Sequence, residues 1–116
     1  LPVSVPSHSS LMKEAGKELA ETLAPVKFRA TSIKVINATD ATPYTDADDM
    51  RARLSRQVHR PVRWVDTINA MVDGGATAVI ECGPGKVLAG LVRRISRATP
   101  VGTIESMSGL HKALEL

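Results

Sequence analysis

The run Ala78-Val79-Ile80-Glu81-Cys82-Gly83-Pro84-Gly85-Lys86-Val87-Leu88 decides how the rest of the chain is read. Its first five residues are mostly apolar and partly β-branched, the composition of a strand buried in a sheet. Gly83-Pro84-Gly85 closes that strand, because glycine and proline favour a tight turn. Beyond Lys86, the residues Val87, Leu88, Leu91, Val92 and Ile95 fall on one side of a helix that runs to residue 97. Strand, glycine turn and helix in this order form the repeating unit of a parallel α/β sheet.

The same alternation continues outward. Downstream, residues 99–105 read as a last short strand and residues 108–116 as a last helix. Upstream, residues 64–72 form a helix ended by Gly74-Gly75. Residues 46–59 form another, with Asp46, Asp48 and Asp49 at its positive end and Pro61 breaking the helical pattern beyond it. Ile33-Lys34-Val35-Ile36-Asn37 reads as a strand and residues 37–45 as a loop containing Pro43. Leu11, Ala15, Leu19 and Leu23 recur every four residues, so residues 9–24 form an amphipathic helix stopped by Pro25. Ser7, Ser9 and Ser10 offer N-caps for it. Leu1 to Pro6 alternates apolar and polar residues around two prolines, as an edge strand or extended arm does. The expected fold class is α/β, a parallel sheet of short strands with helices on both faces.

Composition narrows the function. A chain of 116 residues is one domain in size, and 43% hydrophobic with 23% charged residues is globular rather than disordered. Aromatic residues make up 3%, so the core is aliphatic, and a base-stacking surface for single-stranded nucleic acid is not expected. A net charge of +3 permits an acidic partner without calling for nucleic acid. The single cysteine, Cys82, excludes an internal disulfide and a multi-cysteine zinc site, and suits a reducing, cytoplasmic compartment. No apolar run approaches the roughly 18 residues of a membrane span, so no membrane partner is expected. The opening residues lack the basic flank and apolar core of a signal peptide, and a start in mid-pattern suggests a piece of a longer protein.

Several residues could carry chemistry. His8 sits between an extended segment and a helix start, where ligands bind in open α/β sheets. A helix N-terminus there disfavours the imidazolium and suits a neutral base. A turn histidine that helps cap the helix is the alternative. Gly83-Pro84-Gly85-Lys86 could hold an anion on its backbone N–H groups, although it lacks the spacing of either nucleotide-binding glycine motif, and a plain turn is the other reading. Cys82 reads as a small core residue; a Cys82–His8 nucleophile pair would need an exposed thiolate. Arg51, Arg53, Arg56, Arg60 and Arg63 form a basic stretch, with Arg53, Arg56 and Arg60 on one helix side, either a solvated face or a dock for phosphates or an acidic protein. His59 and His111 stand alone. No Gly-x-Ser-x-Gly elbow is present, and Ser7, Ser9 and Ser10 lie on the same turn as His8. A complete hydrolase or transferase site cannot be assembled from these residues.

Four collinear blocks complete the reading. They are Leu1 to Met12 (Leu-Pro-Val-Ser-Val-Pro-Ser-His-Ser-Ser-Leu-Met), Arg56-Gln57-Val58-His59-Arg60-Pro61-Val62-Arg63-Trp64, Glu81 to Leu88, and Ala113-Leu114-Glu115-Leu116. Together they resemble the C-terminal third of the malonyl-CoA:acyl-carrier-protein transacylases of bacterial type II fatty acid synthesis. The resemblance implies an α/β-hydrolase-like subdomain and a smaller ferredoxin-like one, with residues 1–7 ending the small subdomain and residues 8–116 belonging to the large one. It implies ping-pong acyl transfer from malonyl-CoA to the phosphopantetheine thiol of acyl carrier protein, with no cofactor. His8 then corresponds to the general base, and the backbone carbonyl of Gln57 to the group that orients it. Ser7 corresponds to a residue near the acyl pocket. The family's nucleophilic serine and its carboxylate-binding arginine match nothing here, so the implied activity needs an N-terminal part as partner. A free-standing anion-binding α/β module without catalytic activity is the competing reading.

Overall fold

A computed structural model describes residues 5–29 and 31–116. The chain divides into two compact units, Leu1–Thr67 and Ile68–Leu116.

The first unit is built on two helices. A 3₁₀ turn at Ser10–Met12 leads into α1, Lys13–Leu23, which ends just ahead of Pro25. Ser9 precedes the turn but makes no capping bond; its hydroxyl donates instead to the Pro6 carbonyl at 2.7 Å. Helix α2, Ala47–Gln57, starts where Asp46 accepts hydrogen bonds from the N–H groups of Asp48 and Asp49. That cap satisfies two of the helix's orphan donors and sets a carboxylate on the positive end of its dipole. Asp49 in turn accepts from the Thr45 N–H at 3.1 Å. α1 packs on α2 at Gly16: a Cβ there would lie 3.0 Å from the Ser55 carbonyl oxygen and 2.8 Å from His59 Nδ1.

Between the helices, the expected strand at residues 33–37 is shorter than its sequence suggests. Only β1, Ile36–Asn37, is strand, and it pairs antiparallel with β2, Thr42–Pro43, inside the segment expected to be a loop. The buried Asn37 side chain explains this. Its Oδ1 accepts from the Thr39 N–H at 2.9 Å and the Thr39 hydroxyl at 2.6 Å, and its Nδ2 donates to the Tyr44 hydroxyl at 2.7 Å. The side chain thus folds the turn back on itself. Ala41, at φ 57°, completes the reversal.

Arg53 was a candidate for a basic docking face, yet it is buried, 6% exposed. Its guanidinium pairs with Asp40 and Asp49 at 3.0 Å each, donates to the Thr42 and Pro43 carbonyls, and lies 4.8 Å over the Tyr44 ring. A planar five-donor fork suits that many acceptors. Arg51 is likewise occupied: it donates to the Leu23 and Val26 carbonyls, pairs with Asp48 and covers the Phe28 ring. Both arginines tie α2 to its surroundings.

Helix α3, Trp64–Asp73, begins after Pro61-Val62-Arg63 and ends at Gly74-Gly75, with Gly75 at φ 94°. Its Ile68 is fully buried.

The second unit carries the parallel pair. β3, Val79–Cys82, pairs with β4, Val101–Ile104, and α4, Val87–Ile95, is the crossover between them. α4 packs through Ala89 and Val92, each 1% exposed. α5, Met107–Ala113, is capped by the Ser106 hydroxyl and lies so close to β4 that a Cβ on Gly109 would sit 2.6 Å from the Thr103 carbonyl oxygen. Gly102 meets Ala113 and Leu116 on the face opposite to the one where Glu81 meets α4. Helices therefore lie on both faces, but β3 is not a fully buried strand. Its residues alternate between half-buried and exposed, and Ile80 and Cys82 are on the exposed side. Cys82 is thus not a core residue; the polar Glu81 between apolar neighbours marks a strand with two unlike faces.

The architecture is mixed α/β, with one parallel and one antiparallel strand pair among the described residues rather than a single parallel sheet. Of the expected N-terminal arm, Leu1 to Ser4 lie outside the described residues, and Val5 and Pro6 belong to no strand.

Candidate active site

Three carbonyls at and just beyond the end of α2 make the site. An α-helix leaves its last carbonyls without intrahelical partners. Here Val58 closes the helix, tight turns come next at His59 and Arg60, and Pro61 supplies no N–H to continue it. The carbonyls of Gln57, Val58 and Arg60 accept bonds from His8. Its backbone N–H donates to the Val58 carbonyl at 2.9 Å. Its ring Nδ1 lies 2.9 Å from the Gln57 carbonyl oxygen and 3.2 Å from that of Arg60.

Two acceptors facing one ring nitrogen assign the tautomer. A carbonyl cannot donate, so Nδ1 carries the hydrogen and Nε2 keeps a lone pair. The imidazole is therefore oriented as a base, with the nitrogen that accepts a proton turned away from α2. When that proton arrives, positive charge develops on a ring set against the negative end of a helix dipole. This differs from the sequence expectation, in which a helix start faced His8.

The backbone of His8 adopts φ 61°, the left-handed region that few non-glycine residues visit. Three hydrogen bonds from 49 to 52 residues away hold it there. Such over-determined strain is a feature of functional positions.

Ser7 is exposed next to His8, and its N–H donates to the Val5 carbonyl. Among the described residues, no serine, threonine or cysteine is hydrogen-bonded to the His8 ring. Cys82 is in the second unit and His8 in the first. His59 packs against Gly16 with its Nδ1 buried and without a hydrogen-bond partner among the described residues. Among those residues no cluster of histidine, cysteine and acidic side chains could hold a metal, and no helix is long and apolar enough to cross a membrane.

The glycine turn of the second unit is already filled. Gly83 and Gly85 take φ 148° and 87°, as the tight turn requires. The Glu81 carboxylate then accepts from the Leu88 N–H at 3.2 Å and the Ala89 N–H at 2.7 Å. Glu105 pairs with Lys86 at 2.7 Å, and that hydrogen bond, with the charge of Lys86 and the Gly85 N–H, holds its carboxyl below the usual value. Two of the chain's own carboxylates thus occupy the Gly85, Leu88 and Ala89 N–H groups and the Lys86 ammonium, which an anion-binding turn would offer to a ligand. Sequence reasoning did not find Glu81 in this role.

Comparison with known proteins bears on what this arrangement does. No family model matches the chain. The malonyl CoA-acyl carrier protein transacylase of Escherichia coli (strain K12) is 41% identical over 116 residues, the whole of this chain and 38% of the relative. An acyl-carrier-protein S-malonyltransferase of known structure from Burkholderia pseudomallei is 44% identical, with a TM-score of 0.95, over 100% of this chain and 38% of that one. A malonyl-transacylase solved in complex with its type II PKS acyl-carrier protein is 37% identical, with a TM-score of 0.94, over 99% of this chain and 37% of that one. The chain is thus homologous along its entire length to malonyl CoA-acyl carrier protein transacylases, and it spans a little over a third of their length, their C-terminal part.

Proposed function

We propose that this chain supplies the general base of a malonyl-CoA:acyl carrier protein transacylase acting in fatty acid biosynthesis in the cytoplasm. The observation that carries this reading is the His8 Nδ1 bond to the Gln57 carbonyl, 2.9 Å long, in a chain homologous throughout to such enzymes. In this reading the nucleophile, a serine, belongs to the N-terminal part of the whole enzyme, as does the arginine that binds the malonyl carboxylate.

The chemistry is two successive acyl transfers. His8 Nε2 takes the serine proton as the serine oxygen attacks the malonyl thioester carbon. The tetrahedral intermediate collapses, the carbon–sulfur bond breaks, and the imidazolium returns its proton to the departing coenzyme A sulfur. In the second half, Nε2 takes the proton of the carrier's phosphopantetheine thiol, the sulfur attacks the malonyl-serine ester, and the serine oxygen leaves with that proton. Nothing is oxidised or reduced, so no cofactor is needed. The Gln57 and Arg60 carbonyls stand where a Ser-His-Asp triad has its aspartate: they fix the tautomer and face the charge on the ring. Ser7 borders the acyl pocket. Residues 1–7 complete a ferredoxin-like small subdomain, and residues 8–116 belong to an α/β-hydrolase-like one.

The experiment is malonyl transfer to holo-carrier protein by the full-length protein and its His8→Ala variant. Loss of a general base lowers turnover by about 10²- to 10⁴-fold. Unimpaired transfer by the variant would remove His8 from the mechanism.

A further inference from the structure

The groove between α1 and α2 is charged on one sign only. It encloses about 330 Å³ and is lined by Lys13, Gly16, Lys17, Ala20, Arg56 and His59, together with Ser55 at its base. Gly16 and Ala20 give it an apolar floor, and Lys13, Lys17 and Arg56 give it a cationic rim with no carboxylate in the lining. Among the described residues, Lys13 and Arg56 have no ion-pair partner, and Lys17 has only its exposed neighbour Glu14 on the same helix. This contrasts with Arg51 and Arg53 on the same helix as Arg56, whose charges are consumed by Asp48, Asp40 and Asp49. The rim adjoins the site, because Arg56 immediately precedes Gln57, which holds His8.

We propose that this groove docks an acidic helix of the acyl carrier protein, seating an aliphatic side chain on the Gly16–Ala20 floor and carboxylates on Lys13, Lys17 and Arg56. The inference rests on the acyl-transfer reading for the identity of the partner. The argument for an acidic helix is complementarity: a shallow apolar strip between two helices accepts one face of a third helix. Two cations without an ion-pair partner among the described residues, Lys13 and Arg56, with Lys17 beside them, select negative charge and speed encounter. Docking there brings the carrier next to the residue that positions the base.

The test separates docking from chemistry. An acyl carrier protein lacking its phosphopantetheine arm is titrated into the full-length protein, which measures docking without catalysis. Lys13→Glu with Arg56→Glu is expected to weaken this binding about tenfold or more at low salt, and Lys13→Gln with Arg56→Gln about threefold. Lys112→Glu, a single charge reversal in the second unit, is expected to leave it unchanged. With holo-carrier, the charge-reversed variant raises KM for the carrier by a similar factor and leaves malonyl-enzyme formation from malonyl-CoA at its normal rate. That normal rate also shows the variant to be folded. Carrier binding unaffected by either double variant overturns the proposal, as does a rise in KM for malonyl-CoA in place of the carrier. A wild-type protein that binds the carrier in this rim-dependent way but never forms malonyl-enzyme would overturn the catalytic reading and leave the docking surface standing.

Discussion

Helix α2 ends with the carbonyls of Gln57, Val58 and Arg60 turned to His8, whereas α4 begins with the amides of Leu88 and Ala89 turned to Glu81. Both helix ends carry the unsatisfied backbone groups that make a terminus attractive to a ligand. What fills them differs. At α4 the filler is a carboxylate whose charge is spent on the Leu88 and Ala89 amides it caps, so those two are not offered to an outside anion. At α2 the filler is an imidazole that uses one nitrogen on the helix and, among the described residues, leaves the other without a hydrogen bond. A glycine-flanked helix start looks like a site and has its Leu88 and Ala89 amides capped, while a helix end interrupted by proline looks like a stop signal and holds an imidazole with one nitrogen to spare.

The largest expected effect concerns the anchor of α2. Arg53 holds that helix to β2 and to the turn before it through four side-chain hydrogen bonds, and a fifth goes to Asp49 within the helix. Replacing it with methionine, Arg53→Met, keeps the volume and orphans two carboxylates and two carbonyls. The expected cost is about 3 kcal/mol or more of unfolding free energy by urea titration, since removing one partner of a buried network leaves the others unpaired. A loss within about 0.5 kcal/mol, the order seen for surface substitutions, would return Arg53 to the solvated face its spacing first suggests.

Much of this contrast is legible in the residues, and the rest is not for identifiable reasons. α2, α3, β3 and α4 follow from apolar spacing with Asp46, Pro61, Gly74-Gly75 and Gly83-Pro84-Gly85 as punctuation; all four lie within two residues of their expected bounds. The β1–β2 hairpin escapes such a reading because its register is set by one side chain, Asn37, rather than by apolar alternation. Spacing alone misplaces Arg53 because a helical wheel shows which residues share a face and not what arrives opposite; Asp40 is 13 residues away. His8 and Gln57 are 49 residues apart, and local features leave His8 as either a base or a capping residue. The family resemblance, not the spacing, points to the Gln57 carbonyl. Glu81 gives no warning of its role because a single carboxylate in an apolar strand carries no periodic signal.

A smaller effect tests the closed end. Glu81→Ala removes the acceptor of two amides and is expected to cost about 1–2 kcal/mol, in the range of a lost helix cap, with Glu81→Gln in between. The variant should also gain what the native chain lacks: inorganic phosphate should raise its melting temperature more than that of the unsubstituted chain, by entering the emptied N-terminus. Equal stabilisation of both would mean that the α4 start is open after all.

Smaller still is the expected change at the open end. His8→Gly removes the two ring hydrogen bonds, both exposed, and relieves a backbone held at φ 61°. The left-handed conformation costs a non-glycine residue roughly 1–2 kcal/mol, so the two contributions nearly cancel and the net change stays within about 1 kcal/mol of zero. Malonyl transfer by the full-length variant should nonetheless collapse. Substituting Glu81 would then damage stability and substituting His8 would damage activity. A His8→Gly chain destabilised by as much as the Glu81→Ala chain would erase that distinction.

The smallest expected effect is a dependence on acid, and it concerns the other end of α2. That start is closed like the start of α4: Asp46 caps it, and Asp49 accepts from Thr45. The Asp49 N–H bond, followed by the Thr45 hydroxyl, holds the Asp46 carboxyl below its ordinary 3.8. The Thr45 N–H and then Arg53 do the same for Asp49. A carboxyl lowered on folding adds stability above its unfolded value, and that stability is lost as pH falls through the folded one. The chain should therefore weaken from about pH 4 downward, and an Asp46→Asn, Asp49→Asn variant should show a shallower fall over the same range in urea titrations. If the fall is as steep without the two carboxylates, the charge at this helix start is incidental. If it is shallower, α2 is a helix closed by charge at its beginning and left open at its end, where His8 is bound.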